Sequence, residues 1–146
     1  MSAPDGNAAL RCPSAQPDMD DAEVLGVVSH DETGSRLAYL AGHQPATPEI
    51  LAMTAPANPL HVLRFSARCE ERRCTHFDGQ SCQLASRIVA KLDPVSEALP
   101  PCVIRKSCRW YAEQGPAACF RCPQVVTEID RADPRHEQYR EVAGLG

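Results

Sequence analysis

Residues 99–123 read LPPCVIRKSCRWYAEQGPAACFRCP, and they place Cys102, Cys108, Cys119 and Cys122 among proline breaks and short helical pieces. Leu99–Cys102 is held extended by its two prolines, and Lys106–Gln114 has the composition of a short helix that Gly115-Pro116 stops. No long regular element fits here, so the C-terminal half is expected to be loops and short helices organised by its cysteines. Working back along the chain, Cys69, Cys74 and Cys82 extend the pattern to C-x4-C-x7-C-x19-C-x5-C-x10-C-x2-C-P. The eighth cysteine, Cys12, stands alone near the start and, like Cys122, is followed by proline. Clustered thiols are open to oxidation unless something binds them, and a buried structural cysteine needs no such clustering.

Upstream, the texture is that of a small sheet. Val24–Val28 and Arg36–Leu40 are β-prone runs around the polar turn 30–35, and His61–Phe65 (HVLRF) reads as a third strand. Thr47 followed by Pro48 marks a short helix over 46–53, which Pro56 and Pro59 end. In Ser81–Leu92, Leu84, Ile88 and Leu92 form one apolar helical stripe, stopped by Asp93-Pro94. Pro123 is expected in the first turn of a last helix over 124–130. The fold class is α+β: a small antiparallel N-terminal sheet with a C-terminal loop-and-short-helix cysteine module. The expected organisation is an extended acidic arm over 1–21, a single cysteine-rich domain over 22–130 (sheet 22–66, metal-binding module 67–130) and a charged tail over 131–146.

A 146-residue chain suggests one domain, but aromatics are only 5% of it, so its core is thinly supplied. Metal binding would add folding free energy that this composition lacks. The N-terminal stretch is polar and acidic and shows neither a secretory signal nor a membrane span, so a cytoplasmic location is expected, where cysteine patterns point to metal or catalysis rather than disulfides. Charge is uneven: residues 1–60 carry net −6, residues 61–125 net +4 and residues 126–146 net −2. The cysteine region is the basic part of an acidic protein, as suits thiolate-bound negative charge, while a net of +4 is too weak to indicate nucleic-acid binding.

Three binders of the thiols compete. Structural zinc sites usually show two tight C-x2-4-C pairs; here Cys119 and Cys122 form one, and His76 or His61 could add nitrogen. Iron–sulfur clusters take four thiolates each and tolerate irregular spacing, eight cysteines make two sets of four, and Cys-Pro after a last ligand is a ferredoxin habit. The C-x-x-C of Cys119 and Cys122 could also be a redox dithiol, although no βαβ context surrounds it. The expectation is an iron–sulfur protein with one or two 4Fe–4S clusters, serving electron transfer, redox sensing or as an accessory to another enzyme. The alternative is a zinc-stabilised module for protein interaction or nucleic-acid binding. The candidate ligands are Cys12, Cys69, Cys74, Cys82, Cys102, Cys108, Cys119 and Cys122. One economical partition joins Cys102, Cys108, Cys119 and Cys122, leaving Cys69, Cys74, Cys82 and Cys12 for a second site; a single cluster from four cysteines is the other option.

His76 is read as an outer hydrogen-bond partner or an exposed side chain, Trp110 and Tyr111 as core residues, and Arg105, Lys106 and Arg109 as a solvated face. The functional counterpart of each is a ligand, a cluster shield and donors to cluster sulfur. Phosphate-binding, nucleophile-elbow and zinc-protease motifs are absent, so no catalytic residue is nominated. The expected partner is a redox enzyme or an electron-carrier protein, with no membrane and no nucleic acid.

The blocks CPSAQPDM (12–19), THFDGQSCQLASRIV (75–89), LPPCVIRKSCRWY (99–111) and ACFRCPQVVTE (118–128) resemble a group of small bacterial cysteine-rich proteins labelled "nitrogen fixation protein". The resemblance runs from Cys12 to about Glu128 and implies that Cys12 belongs with the other cysteines.

Overall fold

The structure is a computed structural model that describes residues 10–31, 34–71, 74–127 and 142. Its architecture is α+β. Strands β1 (Arg11–Ala15), β2 (Glu23–Asp31), β3 (Gly34–Tyr39) and β4 (Leu63–Arg68) form one antiparallel sheet in the order β1-β4-β2-β3. Short helices α1 (Pro48–Ala52) and α2 (Pro59–Val62) lie between β3 and β4. Helices α3 (Gln83–Lys91), α4 (Arg109–Gln114) and α5 (Pro116–Arg121) follow, with 3₁₀ turns at Arg105–Ser107 and Cys122–Gln124.

The sheet is buried on both faces, as its alternation shows. Val24, Phe65, Ala67 and Ala15 pack with Leu60 on one side, under α1 and α2. On the other side Leu25 and Leu37 pack with Ile88, Leu92, Ile104, Trp110 and Val125, so the cysteine module covers that face. Arg64, adjacent to Phe65 in β4, therefore points toward the module. Gly26 permits a close approach within the sheet: a Cβ there would overlap the Ala38 carbonyl oxygen and the Leu37 side chain.

The expected stripe of α3 is observed. Ile88 is fully buried and Leu92 nearly so, and the Cys82 sulfur caps the helix by accepting from the Ala85 N–H at 3.4 Å. The Thr47 hydroxyl caps α1 as its sequence suggests, accepting from Ile50 N at 3.2 Å.

Four expectations are corrected. The arm expected over 1–21 contains strand β1, paired with β4, and residues 1–9 lie outside the described residues. The strand expected at His61 starts at Leu63, because Asn58 caps a helical turn that begins at Pro59. The helix expected over 124–130 does not begin at Gln124, where a 3₁₀ turn closes, and 128–130 lie outside the described residues; Gly115, at φ 69, ends α4 and Pro116 opens α5 at once. Of the expected tail over 131–146 only Val142 is described, and it is buried in the core.

Candidate metal centre

The fold gathers the eight cysteines into two groups, all with free sulfurs. Cys12, Cys69, Cys74 and Cys82 line one cavity of about 190 Å³. Cys102, Cys108, Cys119 and Cys122 line another of about 20 Å³. These are the two sets of the economical partition. Strand pairing explains how Cys12 joins residues more than fifty positions away: Cys12 is opposite Ala67 in the β1–β4 ladder, two residues before Cys69. The second set is more local, rising from the loop before the Arg105–Ser107 turn, the N-cap of α4, and α5 with the turn that follows it.

Each set has an arginine donating to one of its sulfurs. The Arg64 guanidinium is buried, at 1% exposure, and Nη2 lies 2.7 Å from Cys122 Sγ. Its other donors reach the Pro13 carbonyl at 2.8 Å and the Cys122 carbonyl at 2.5 Å. Arg64 thus joins the two Cys-Pro steps, Cys12-Pro13 and Cys122-Pro123, and stacks on Trp110 with its guanidinium carbon 5.7 Å from the ring centre. Among the described residues no carboxylate pairs with it. Burial favours its neutral form, but the Cys122 sulfur, the Tyr39 oxygen and the hydrogen bond to Cys122 outweigh burial and raise it above the ordinary guanidinium value. Arg109 plays the same part for the first set, with Nε 3.1 Å from Cys69 Sγ. It also bridges Glu71 at 2.7 Å and Glu113 at 3.0 Å, and Glu113 in turn accepts from Cys82 N at 2.8 Å.

Burial dominates the thiols. It pushes Cys12 up to about 12, against the backbone N–H of Ser14 and helped by Cys69, Cys82 and Cys74 nearby. It pushes Cys108 up to about 12 as well, with Cys122 and Cys102 adding to the effect. Cys82, Cys102 and Cys119 also rise through burial, partly offset at Cys119 by the Arg105 guanidinium. A metal binding here would displace protons to obtain thiolates.

Two buried donors, Trp110 Nε1 and Arg105 Nε, have no acceptor. Trp110 lines both cavities and Arg105 the second. A buried N–H left unpaired is costly, so an acceptor group in these cavities would fit them. Among the described residues, no three His, Cys, Asp or Glu side chains converge closely enough to hold a single metal ion.

Of the other candidates, His76 lines the first cavity and its Nδ1 bonds the Arg87 guanidinium at 2.8 Å. Trp110 is a core residue and also the wall between the sets. Arg109 leaves the expected solvated face to sit buried on Cys69, whereas Lys106 is exposed. Arg64 was not singled out by sequence; its signal is a lone cation inside the apolar run HVLRF. No helix among the described residues is long and apolar enough to cross a membrane. No protein-family model, curated protein or solved structure matches the chain.

Proposed function

We propose that this is a cytoplasmic iron–sulfur protein that binds 4Fe–4S clusters through its cysteines. Its role is to carry electrons to or from a redox enzyme or carrier protein, to sense redox state, or to support another enzyme. The observation that carries the reading is Arg64. A guanidinium buried with no carboxylate partner among the described residues, and 2.7 Å from a cysteine sulfur, calls for negative charge that thiolate-bound iron would supply. The unpaired N–H groups of Trp110 and Arg105 support the same occupant, since cluster sulfurs accept hydrogen bonds and such bonds tune the potential.

The cysteine spacing favours a cluster over a lone zinc ion: structural zinc sites usually show two tight C-x2-4-C pairs, whereas Cys119 and Cys122 form one here. A cluster takes four thiolates and tolerates irregular spacing. A bound cluster supplies one-electron chemistry; the chain ligates it, offsets its charge with Arg64 and Arg109, and shields it with Trp110. The test is anaerobic purification with iron, zinc and acid-labile sulfide assays. Iron and sulfide in equal amounts are expected; stoichiometric zinc without sulfide would overturn the reading in favour of a zinc-stabilised module.

A further inference from the structure

We infer that the chain holds two separate centres of unlike accessibility, one in each cysteine set, with Trp110 as their common wall; this rests on the iron–sulfur reading above. The division follows from the lining of the cavities: no cysteine is shared, and Trp110 borders both. Each set has four sulfurs, the complement of one cluster. Each also has its own arginine on a sulfur, Arg109 on Cys69 and Arg64 on Cys122. A single centre would explain one such set and leave the other four thiols and one buried cation without a role.

The surroundings of the two sets differ. The first is built at the sheet edge from β1, the end of β4 and the loop that leads into α3, and Cys69 also borders a groove of about 600 Å³. Its cavity of about 190 Å³ is far larger than the roughly 10–15 Å³ that admits one water. The second set surrounds only about 20 Å³, with Cys108 and Cys122 buried, Cys102 and Cys119 partly exposed, and Tyr39, Tyr111 and Trp110 packed on it. The tighter cavity gives slower exchange at the second centre, and the first, beside the groove at Cys69, meets reagents and partners faster.

The experiment uses the full chain, loaded anaerobically with iron and sulfide. Wild type is expected to hold about eight irons, and two double variants, Cys69→Ser with Cys74→Ser and Cys102→Ser with Cys119→Ser, about four each. Because either variant could fail to fold, wild type is also exposed to an iron chelator while its visible absorbance is followed. Two phases of similar amplitude, the faster one lost in the Cys69/Cys74 variant, support the inference. Wild type saturating at about four irons, or a single chelation phase, overturns the two-centre inference while leaving a one-cluster protein intact. A chain that binds no iron overturns the iron–sulfur reading itself.

Discussion

Replacing Arg64 by methionine separates charge compensation from packing. Methionine keeps an unbranched apolar stem in β4 but removes every guanidinium bond. In wild type these reach Cys122 Sγ at 2.7 Å, Pro13 O at 2.8 Å, Cys122 O at 2.5 Å and Val125 O at 3.4 Å. Removing one partner from a buried ionic pair costs about 3–5 kcal/mol, mostly from the charge left uncompensated. That full cost is expected only in the loaded protein, where thiolate-bound iron makes the cavity negative. In the metal-free chain burial keeps Cys108, Cys102 and Cys119 toward their neutral forms. There Arg64 is an under-compensated buried cation, and its loss should cost markedly less. The assay is anaerobic urea unfolding of Arg64→Met and wild type, each with and without metal. Loss of a positive charge should also make the loaded variant's reduction potential more negative, and Arg64→Lys should recover part of that shift without the forked hydrogen bonds. Equal destabilisation of the loaded and metal-free forms, with an unchanged potential, would refute the charge argument and leave Arg64 a packing residue.

Three further outcomes are expected. Gly26→Ala places a methyl against the Ala38 carbonyl oxygen and should cost about 1–3 kcal/mol by overpacking, measured by urea unfolding, with metal content per folded chain unchanged. Stripping metal from the loaded protein should lower its helical circular dichroism and expose the segment 83–121 to proteases, because metal affinity is folding free energy here; identical protease patterns with and without metal would contradict this. Asp21 is drawn below the usual carboxylate range: burial is the largest single influence and raises it, but the Arg68 N–H at 3.0 Å and the Arg11 guanidinium at 2.8 Å together outweigh that. A depressed carboxylate contributes stability above its unfolded pKa, near 3.9, and loses it as pH falls through the folded value. The carboxylate is half-exposed, so Asp21→Asn should cost only about 0.2–1 kcal/mol at pH 7 and nothing once the acid is protonated, as acid-to-neutral unfolding series would show.

The cysteine spacing carried the candidate site, and the α3 stripe and the β2–β3 hairpin were legible because local periodicity set them. What escaped were features fixed by distant contacts. Strand β1 read as an arm because Pro13 and its neighbouring prolines argue against a strand; the sheet accepts Pro13 because β1 is an edge strand with a register break between Cys12 and Ala15. Pro123 does open a helical turn, but a 3₁₀ one that closes at Gln124, while Gly115 resets the chain so that Pro116 opens α5 seven residues earlier, a backbone feature with no periodic signal. Arg64 gave no local cue to its role, since its sulfur partner lies 58 residues away and becomes a neighbour only when the module folds onto the sheet. The same holds for Arg109 and Cys69, 40 residues apart, which is why a basic run read as solvated surface holds a buried donor.

X-ray absorption at the iron and zinc edges, recorded on the anaerobically isolated chain, tests most directly what the cysteines hold. Iron surrounded by sulfur alone, with iron–iron scattering from a neighbouring metal, is the expected result. Zinc in a sulfur shell with no metal–metal scattering, or no metal at either edge, would contradict it.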